Sequence, residues 1–399
     1  MHLVKPFELS VEEHVLNDLF ERLNRTIWPV LSNSHSWALG VESSYMEELV
    51  RYWKEDFDWR KQEAALNDFS QFTYEVEGQR WHFLHEKSEG DSKALLLLHG
   101  WPDSFYRFYK VIPELVERGY SVVIPSLPGF GFSEPDPQNS VTNAATSLHH
   151  LMTEVLGYTD YGIHGGDTGS VLAQEIVKLN PSQIIGLHLT DIGYDQFSYM
   201  DRSVLTKEEN EFLDKVDQWM YTEGAYIMIQ ATKPYTLAYA LTDSPVALAA
   251  WIIEKFKAWS DIENSPDEKF SKDELLTNVM LYWITKTGGS SIHWYASSGE
   301  DWESVEDSWG EEESGGEENA VDSFVSTTGF EDAGKDVPVA LAVFPKDIPR
   351  EVSIPKSLVE KQVNLVRWTP MPSGGHFAAL EEPELLVNDI DAFFGQLGS

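Results

Sequence analysis

The sequence predicts an α/β fold: a mostly parallel sheet covered by helices on both faces, with a helical block inserted before its last two strands and a helical extension in front. Apolar runs without alternation recur between helical segments, as ALLLLH (94–99), YSVVIP (120–125), YGIHG (161–165) and IIGLHL (184–189). Strands buried on both faces read this way, and helices between them imply parallel pairing. The strand signal then stops over residues 201–299 and resumes with VPVALAVFP (337–345) and VNLVRWTP (363–370). An antiparallel hairpin ahead of these runs brings the expected sheet to eight strands.

In chain order, residues 1–71 read as a helical, aromatic-rich extension that packs on the core and the cap. Ser10-Val11-Glu12-Glu13 is a capping-box pattern, and Val15, Leu16, Leu19, Phe20 and Leu23 come after it at helical spacing. A second helix over Tyr45 to Lys54 presents Met46, Leu49, Val50 and Trp53 on one face. From Phe72 the period changes to alternation around Glu77-Gly78, which predicts the hairpin. Residues 72–200 then form the first part of the core, 201–299 a helical cap, and 335–399 the second part of the core. The last segment closes with a helix near 382–394. Between cap and core, 300–334 reads as an acidic surface loop, with Trp302 and Trp309 as anchors over the cap. A calcium loop would need alternating acidic positions and a central Gly, which the tract lacks.

Composition excludes several function classes. Hydrophobic content of 42% and 14 Trp support a sizeable core, so a wholly disordered chain is ruled out. The absence of Cys excludes disulfides, thiolate metal sites and a cysteine nucleophile. A net charge of −37 argues against nucleic acid or anionic membranes as partners. Salt adaptation and a merely well-solvated surface are both open as its origin. The N-terminus MHLVKPFELSVEEH has no basic segment leading into an apolar stretch, and apolar runs are strand-sized. The expectation is a cytoplasmic protein without signal peptide or membrane anchor.

The sharpest motif is Gly165-Gly166-Asp167-Thr168-Gly169, directly after a strand and before the helix SVLAQEIVKLN. Small residues around a nucleophile allow the strained strand-to-helix turn that lifts one side chain above the sheet edge. Asp stands where Ser is usual, which excludes an ordinary serine esterase. A helix N-terminus stabilises the carboxylate as an anion, although Asp is also a favoured N-cap. His99-Gly100-Trp101-Pro102 ends a strand with a turn that can aim a backbone N–H. The amides of Trp101 and Thr168 would form an oxyanion hole. Gly374-Gly375-His376-Phe377 comes after the last strand and supplies the late His of a nucleophile–acid–base order. The acid should follow the penultimate strand, where VPVALAVFPKD places Asp347; Asp191, just after IIGLHLT, competes for that role. Glu381 and Glu382 read as solvated helix-start residues.

With these motifs, the chain resembles epoxide hydrolases of the microsomal and juvenile-hormone type, within the α/β-hydrolase superfamily. The resemblance spans nearly the whole length apart from the acidic tract. It rests on RTIWPV, YWKEDFDWRKQEAALNDF and FTYEVEGQRWHF near the N-terminus, and on HGWPDSFYRFYKVI, PSLPGFGFSEP, HGGDTGS and PSGGHFAALEEPELL in the core. GAYIMIQATKPYTLAYALTDSPVALAAWIIEKFKAWSD carries it through the cap. It implies two cap tyrosines donating hydrogen bonds to the epoxide oxygen, at Tyr226 in GAYIMIQ and Tyr295 in SSIHWYASS. Trp101, Tyr226 and Tyr295 would then line the substrate site. Three features depart from the family pattern: Thr168 stands where Trp is usual, His293 where Arg is usual, and the acidic insertion comes directly after the segment bearing Tyr295.

The expected activity is hydrolysis of a small-molecule epoxide to a vicinal diol through an Asp167 ester, completed by water that His376 activates. No metal or organic cofactor is called for, and a homodimer is compatible with the sequence. Two alternatives use the same frame. A haloalkane or haloacid dehalogenase shares the Asp nucleophile, and a non-catalytic relative would keep the pocket but not the triad.

Overall fold

The computed structural model describes residues 4–397 except 32–35, 77, 91, 194–196, 198–199, 300–334 and 351. The chain begins with a two-residue strand, β1 (Lys5–Pro6), then helices α1 (Glu13–Asn24), α2 (Ser43–Glu55) and α3 (Trp59–Asn67). Helix α1 starts later than the capping-box pattern suggests, with Glu12 as N-cap and no side-chain cap bond. Tertiary partners displace that local pattern: Glu63 Oε2 takes the Val11 N–H at 2.7 Å, and Asn67 Oδ1 takes that of Leu9 at 2.9 Å. In α2, Met46, Leu49, Val50 and Trp53 all face inward.

Strands β2 (Gln71–Val76) and β3 (Gln79–Glu86) pair antiparallel with Val76 opposite Gln79, and the chain reverses through Gly78 at φ 82°. Next come β4 (Lys93–Leu98), α4 (Ile112–Glu117), β5 (Tyr120–Pro125), α5 (Val141–His150), β6 (Tyr161–Gly165), α6 (Thr168–Leu179) and β7 (Ile184–Leu189). A run of helices succeeds them: α7 (Lys207–Glu223), α8 (Ala225–Thr232), α9 (Pro234–Asp243), α10 (Pro245–Trp259), α11 (Lys272–Thr285) and α12 (Gly288–Ile292). The chain then returns to the sheet with β8 (Val339–Val343), α13 (Lys356–Glu360), β9 (Leu365–Pro370), α14 (Ala378–Glu381) and α15 (Pro383–Phe394).

Among the described residues these strands form one sheet in the order β1-β2-β3-β5-β4-β6-β7-β8-β9. Pairing is parallel from β5 to β9 and antiparallel before it. The central position of β4 explains its unbroken apolar run, since Leu95 to Leu98 have no exposed surface. The sheet has nine strands where eight were expected. The extra one is β1, whose Lys5 and Pro6 pair with Thr73 and Phe72. Two exposed residues show no alternation to read; Phe7 anchors the segment, its ring 5.0 Å from that of His82 and 4.9 Å from that of Phe132.

Helices α7 to α12 are inserted between β7 and β8 as a cap whose Tyr226 and Trp259 rings meet Trp101, just beyond the C-terminal end of β4. The N-terminal helices brace this cap. Arg22 reaches Asp243 at 2.8 Å, Tyr45 donates to Asp267 at 2.9 Å, and Tyr52 donates to Asp273 at 2.9 Å. No single helix among the described residues is long and apolar enough to cross a membrane. The acidic tract at 300–334, with Trp302, Trp309 and the calcium question, lies outside the described residues.

Candidate active site

Asp167 stands between β6 and α6 at φ 57°, ψ −134°, a backbone state that L residues avoid at a cost of ~1–3 kcal/mol. The turn closes so tightly that a Cβ on Gly169 would lie 2.2 Å from the Leu98 carbonyl oxygen. One side chain is thereby lifted off the sheet edge. The opposing turn comes equally close, because a Cβ on Gly100 would lie 2.1 Å from Asp167 Oδ1. With Gly there, the Trp101 N–H donates to that oxygen at 2.9 Å.

The two carboxylate oxygens of Asp167 have different neighbours. Oδ1 accepts from the Trp101 N–H and from Thr168 Oγ1, the latter at 3.1 Å. Oδ2 faces His376 Nε2 at 3.6 Å, and among the described residues that nitrogen has no hydrogen-bond partner. The other ring nitrogen, Nδ1, is 2.9 Å from Asp347 Oδ1. Burial pushes the Asp167 carboxyl up, but the facing imidazole and the Thr168 and Trp101 amides outweigh it and hold it below the ordinary carboxylate value. Burial pulls His376 down, yet the negative charges of Asp347 and Asp167 raise it well above the ordinary imidazole value.

Asp191 lies in the same cluster and serves a different contact. Its Oδ2 accepts the Asp167 N–H at 2.7 Å and its Oδ1 accepts Ser170 Oγ at 2.7 Å. It therefore props the turn that carries Asp167, while Asp347 is the carboxylate on the imidazole. Burial, then repulsion from Asp347, pushes Asp191 up to about 6.

The cap lowers a ring of aromatics onto the carboxylate. The Tyr226 ring stacks on that of Trp101 at 5.5 Å, and the Tyr295 ring meets Trp101 edge-on at 6.0 Å. The Tyr226 and Tyr295 rings meet edge-on, their centroids 5.9 Å apart. Burial first, with the nearby Asp167 charge contributing, holds both phenols well above their ordinary value. Lys255 Nζ lies 4.6 Å from the Tyr226 ring centroid and 2.6 Å from Glu254. The segment bearing Tyr295 is tied down despite His293 replacing Arg. Asn139 donates to the His293 carbonyl at 2.6 Å, and Trp294 Nε1 donates to that of Pro128 at 2.6 Å.

Sequence reasoning missed three groups around this cluster. Arg107 is 1% exposed, pairs with Asp103 at 2.6 Å, and donates from Nη2 to the His376 carbonyl at 2.8 Å. The i,i+4 spacing of Asp103 and Arg107 was the available signal. Lys255 sits between Glu254 and Lys257 in the otherwise apolar helix α10, where nothing in the sequence separates it from a solvated charge. Glu381 corrects the solvated reading: it is buried, accepts the Phe377 N–H at 3.0 Å and accepts the Asp261 N–H at 2.7 Å. Burial, with the charge of Asp347 adding to it, pushes Glu381 up to about 7. Its oxygens tie the amide after His376 to the segment that follows α10, where the Trp259 carbonyl takes the His376 N–H at 2.8 Å. Two surface hollows, of ≈ 660 and ≈ 750 Å³, lie on the outer cap and between α1 and α9. Neither is lined by a residue of the Asp167 cluster.

Comparison with known proteins identifies the family and the fold. Residues 4–108 match the family model for the epoxide hydrolase N terminus, and residues 93–226 match that for the alpha/beta hydrolase fold. Epoxide hydrolase 1 of Sus scrofa is 34% identical over 99% of this chain and 89% of its own length. Juvenile hormone epoxide hydrolase 2 of Ctenocephalides felis is 31% identical over 97% of this chain and 84% of its own. The structure of the Aspergillus niger epoxide hydrolase superposes with a TM-score of 0.80 at 29% identity, covering 99% of this chain and 97% of that one. The chain belongs to the epoxide hydrolase family, on the α/β-hydrolase fold.

Proposed function

We propose that this chain hydrolyses a small-molecule epoxide to a vicinal diol in two covalent steps, with Asp167 as nucleophile and His376 as general base. What supports this most is the Asp167 carboxylate, with Oδ1 held by N–H and O–H donors and Oδ2 turned toward a triad imidazole.

In the first step Oδ2 attacks an epoxide carbon and forms the ester C–O bond as the ring C–O bond breaks. The ring oxygen takes a proton from the Tyr226 and Tyr295 pair, which burial keeps protonated at neutral pH. Esterification removes the Asp167 charge, one of the two charges that hold a proton on His376. The proton His376 then releases restores the tyrosine pair, and His376 is left neutral.

In the second step neutral His376, oriented by Asp347, takes a proton from water, and the hydroxide adds to the ester carbonyl carbon. Oδ1 becomes the oxyanion and is held by the Trp101 and Thr168 amides. Collapse of this intermediate expels the diol, and the Asp167 carboxylate and protonated His376 return. Proton and charge balance over the cycle without a further reactant.

His376→Gln tests the division of labour. Incubated with styrene oxide and quenched in acid, the variant should accumulate an adduct on the Asp167 peptide with little diol turnover. An unmodified Asp167 peptide, or the adduct on another carboxylate, would refute the assignment. The dehalogenase alternative loses its support, because the relatives carry the name epoxide hydrolase.

A further inference from the structure

Thr168 brings a side chain as well as an amide to the nucleophile. Its hydroxyl donates to Asp167 Oδ1 at 3.1 Å, and the Trp101 N–H donates to the same oxygen at 2.9 Å. Among the described residues Oδ2 accepts no hydrogen bond and faces the imidazole at 3.6 Å. The oxygen that attacks is therefore Oδ2, and the oxygen that later carries the tetrahedral charge is Oδ1.

We propose that the Thr168 hydroxyl is a catalytic residue: a third donor to the oxyanion formed on Asp167 Oδ1 during ester hydrolysis, added to the two backbone amides. This rests on the Asp167-ester reading and extends it.

The hydroxyl acts on the two covalent steps with opposite sign. Before attack, Oδ1 shares the full carboxylate charge, and the donor stabilises that ground state. As Oδ2 bonds to carbon, Oδ1 becomes a neutral ester carbonyl and the hydrogen bond weakens. The donor therefore slightly retards alkylation. On water attack Oδ1 gains a full negative charge, the hydrogen bond strengthens, and hydrolysis is accelerated. Damage to the turn would slow both steps together.

Thr168→Val keeps the shape and removes the donor. With excess enzyme and styrene oxide, stopped-flow tryptophan fluorescence and acid-quenched peptide mass separate the two rates. Hydrolysis should fall on the order of 10²-fold, the loss of one oxyanion donor. Alkylation should stay unchanged or become faster, so that the alkyl-enzyme dominates at steady state. Thr168→Ser, which restores the hydroxyl, should recover most of the hydrolysis rate; Thr168→Ala repeats the measurement should T168V not fold. Hydrolysis at the wild-type rate in T168V, or equal slowing of both steps, overturns the role of the hydroxyl alone. Absence of any adduct on the wild-type Asp167 peptide overturns the ester reading with it.

Discussion

Replacing Arg107 by Met removes the permanent cation at the centre of a carboxylate-rich site. Arg107 holds Asp103 at 2.6 Å with both side chains at most 2% exposed, and its other hydrogen bond runs to the backbone of His376, which Asp167 and Asp347 flank. Losing one partner of a buried pair costs ~3–5 kcal/mol, because the other charge stays behind in low dielectric. The His376 carbonyl also loses its donor, for a further ~1 kcal/mol. Asp103 already sits at about 6, pushed up by burial and pulled back by Arg107. Without the guanidinium it rises further, so at pH 5 it is neutral and the loss is small, while at pH 8 the full penalty applies. Urea unfolding tracked by tryptophan fluorescence at both pH values measures this. Arg107→Met with Asp103→Asn should recover much of the pH 8 loss. An R107M stability within ~0.5 kcal/mol of wild type at pH 8, or no rescue by the second change, would refute the reasoning.

The same geometry predicts three further outcomes. Lys255→Met takes the cation from the Tyr226 ring, worth ~1–2 kcal/mol where desolvated, so alkylation should slow about tenfold in stopped-flow while ester hydrolysis is spared; slowing of hydrolysis instead would contradict it. Glu381 titrates near 7 when folded against an ordinary 4.5, so the folded state binds the extra proton and stability falls as pH rises between those values. Urea titrations of Glu381→Gln should show part of that slope removed, with an unchanged slope as the contrary result. Gly100→Ala places a methyl 2.1 Å from Asp167 Oδ1, and acid-quenched mass should show alkylation reduced on the order of 10²-fold, whereas adduct formation at the wild-type rate would contradict the close approach.

The central strands are legible in the sequence because their residues are apolar on both faces, and LLLL on a strand-length segment needs cover on each. Strand β1 is not, since two exposed residues have no period and gain their place from Phe7 and from partners far along the chain at Phe72 and Thr73. The start of α1 escapes local reading because Glu63 and Asn67, distant in sequence, hold the Val11 and Leu9 amides of the segment leading into it.

At the site, the turns around Asp167, Trp101 and His376 carry Gly and Pro at fixed offsets, and such constraints are visible in one dimension. The choice between Asp191 and Asp347 is not local. Both come after strands, and only their distances separate the one that props the Asp167 amide from the one that meets the imidazole. Glu381 reads as solvated because it opens the acidic run Glu381-Glu382-Pro383-Glu384, yet it is buried, where the Phe377 and Asp261 amides need an acceptor. The Thr168 hydroxyl carries no signal in the sequence beyond a smaller residue in place of a larger one; its direction depends on the backbone state of the turn.

A single turnover of excess wild-type enzyme on styrene oxide in ¹⁸O-water examines the origin of the new diol oxygen. Transfer from Asp167 should give a first diol free of label, with ¹⁸O left in the Asp167 carboxylate. Label in that first diol would mean that water itself had opened the ring, and would contradict the covalent role of Asp167.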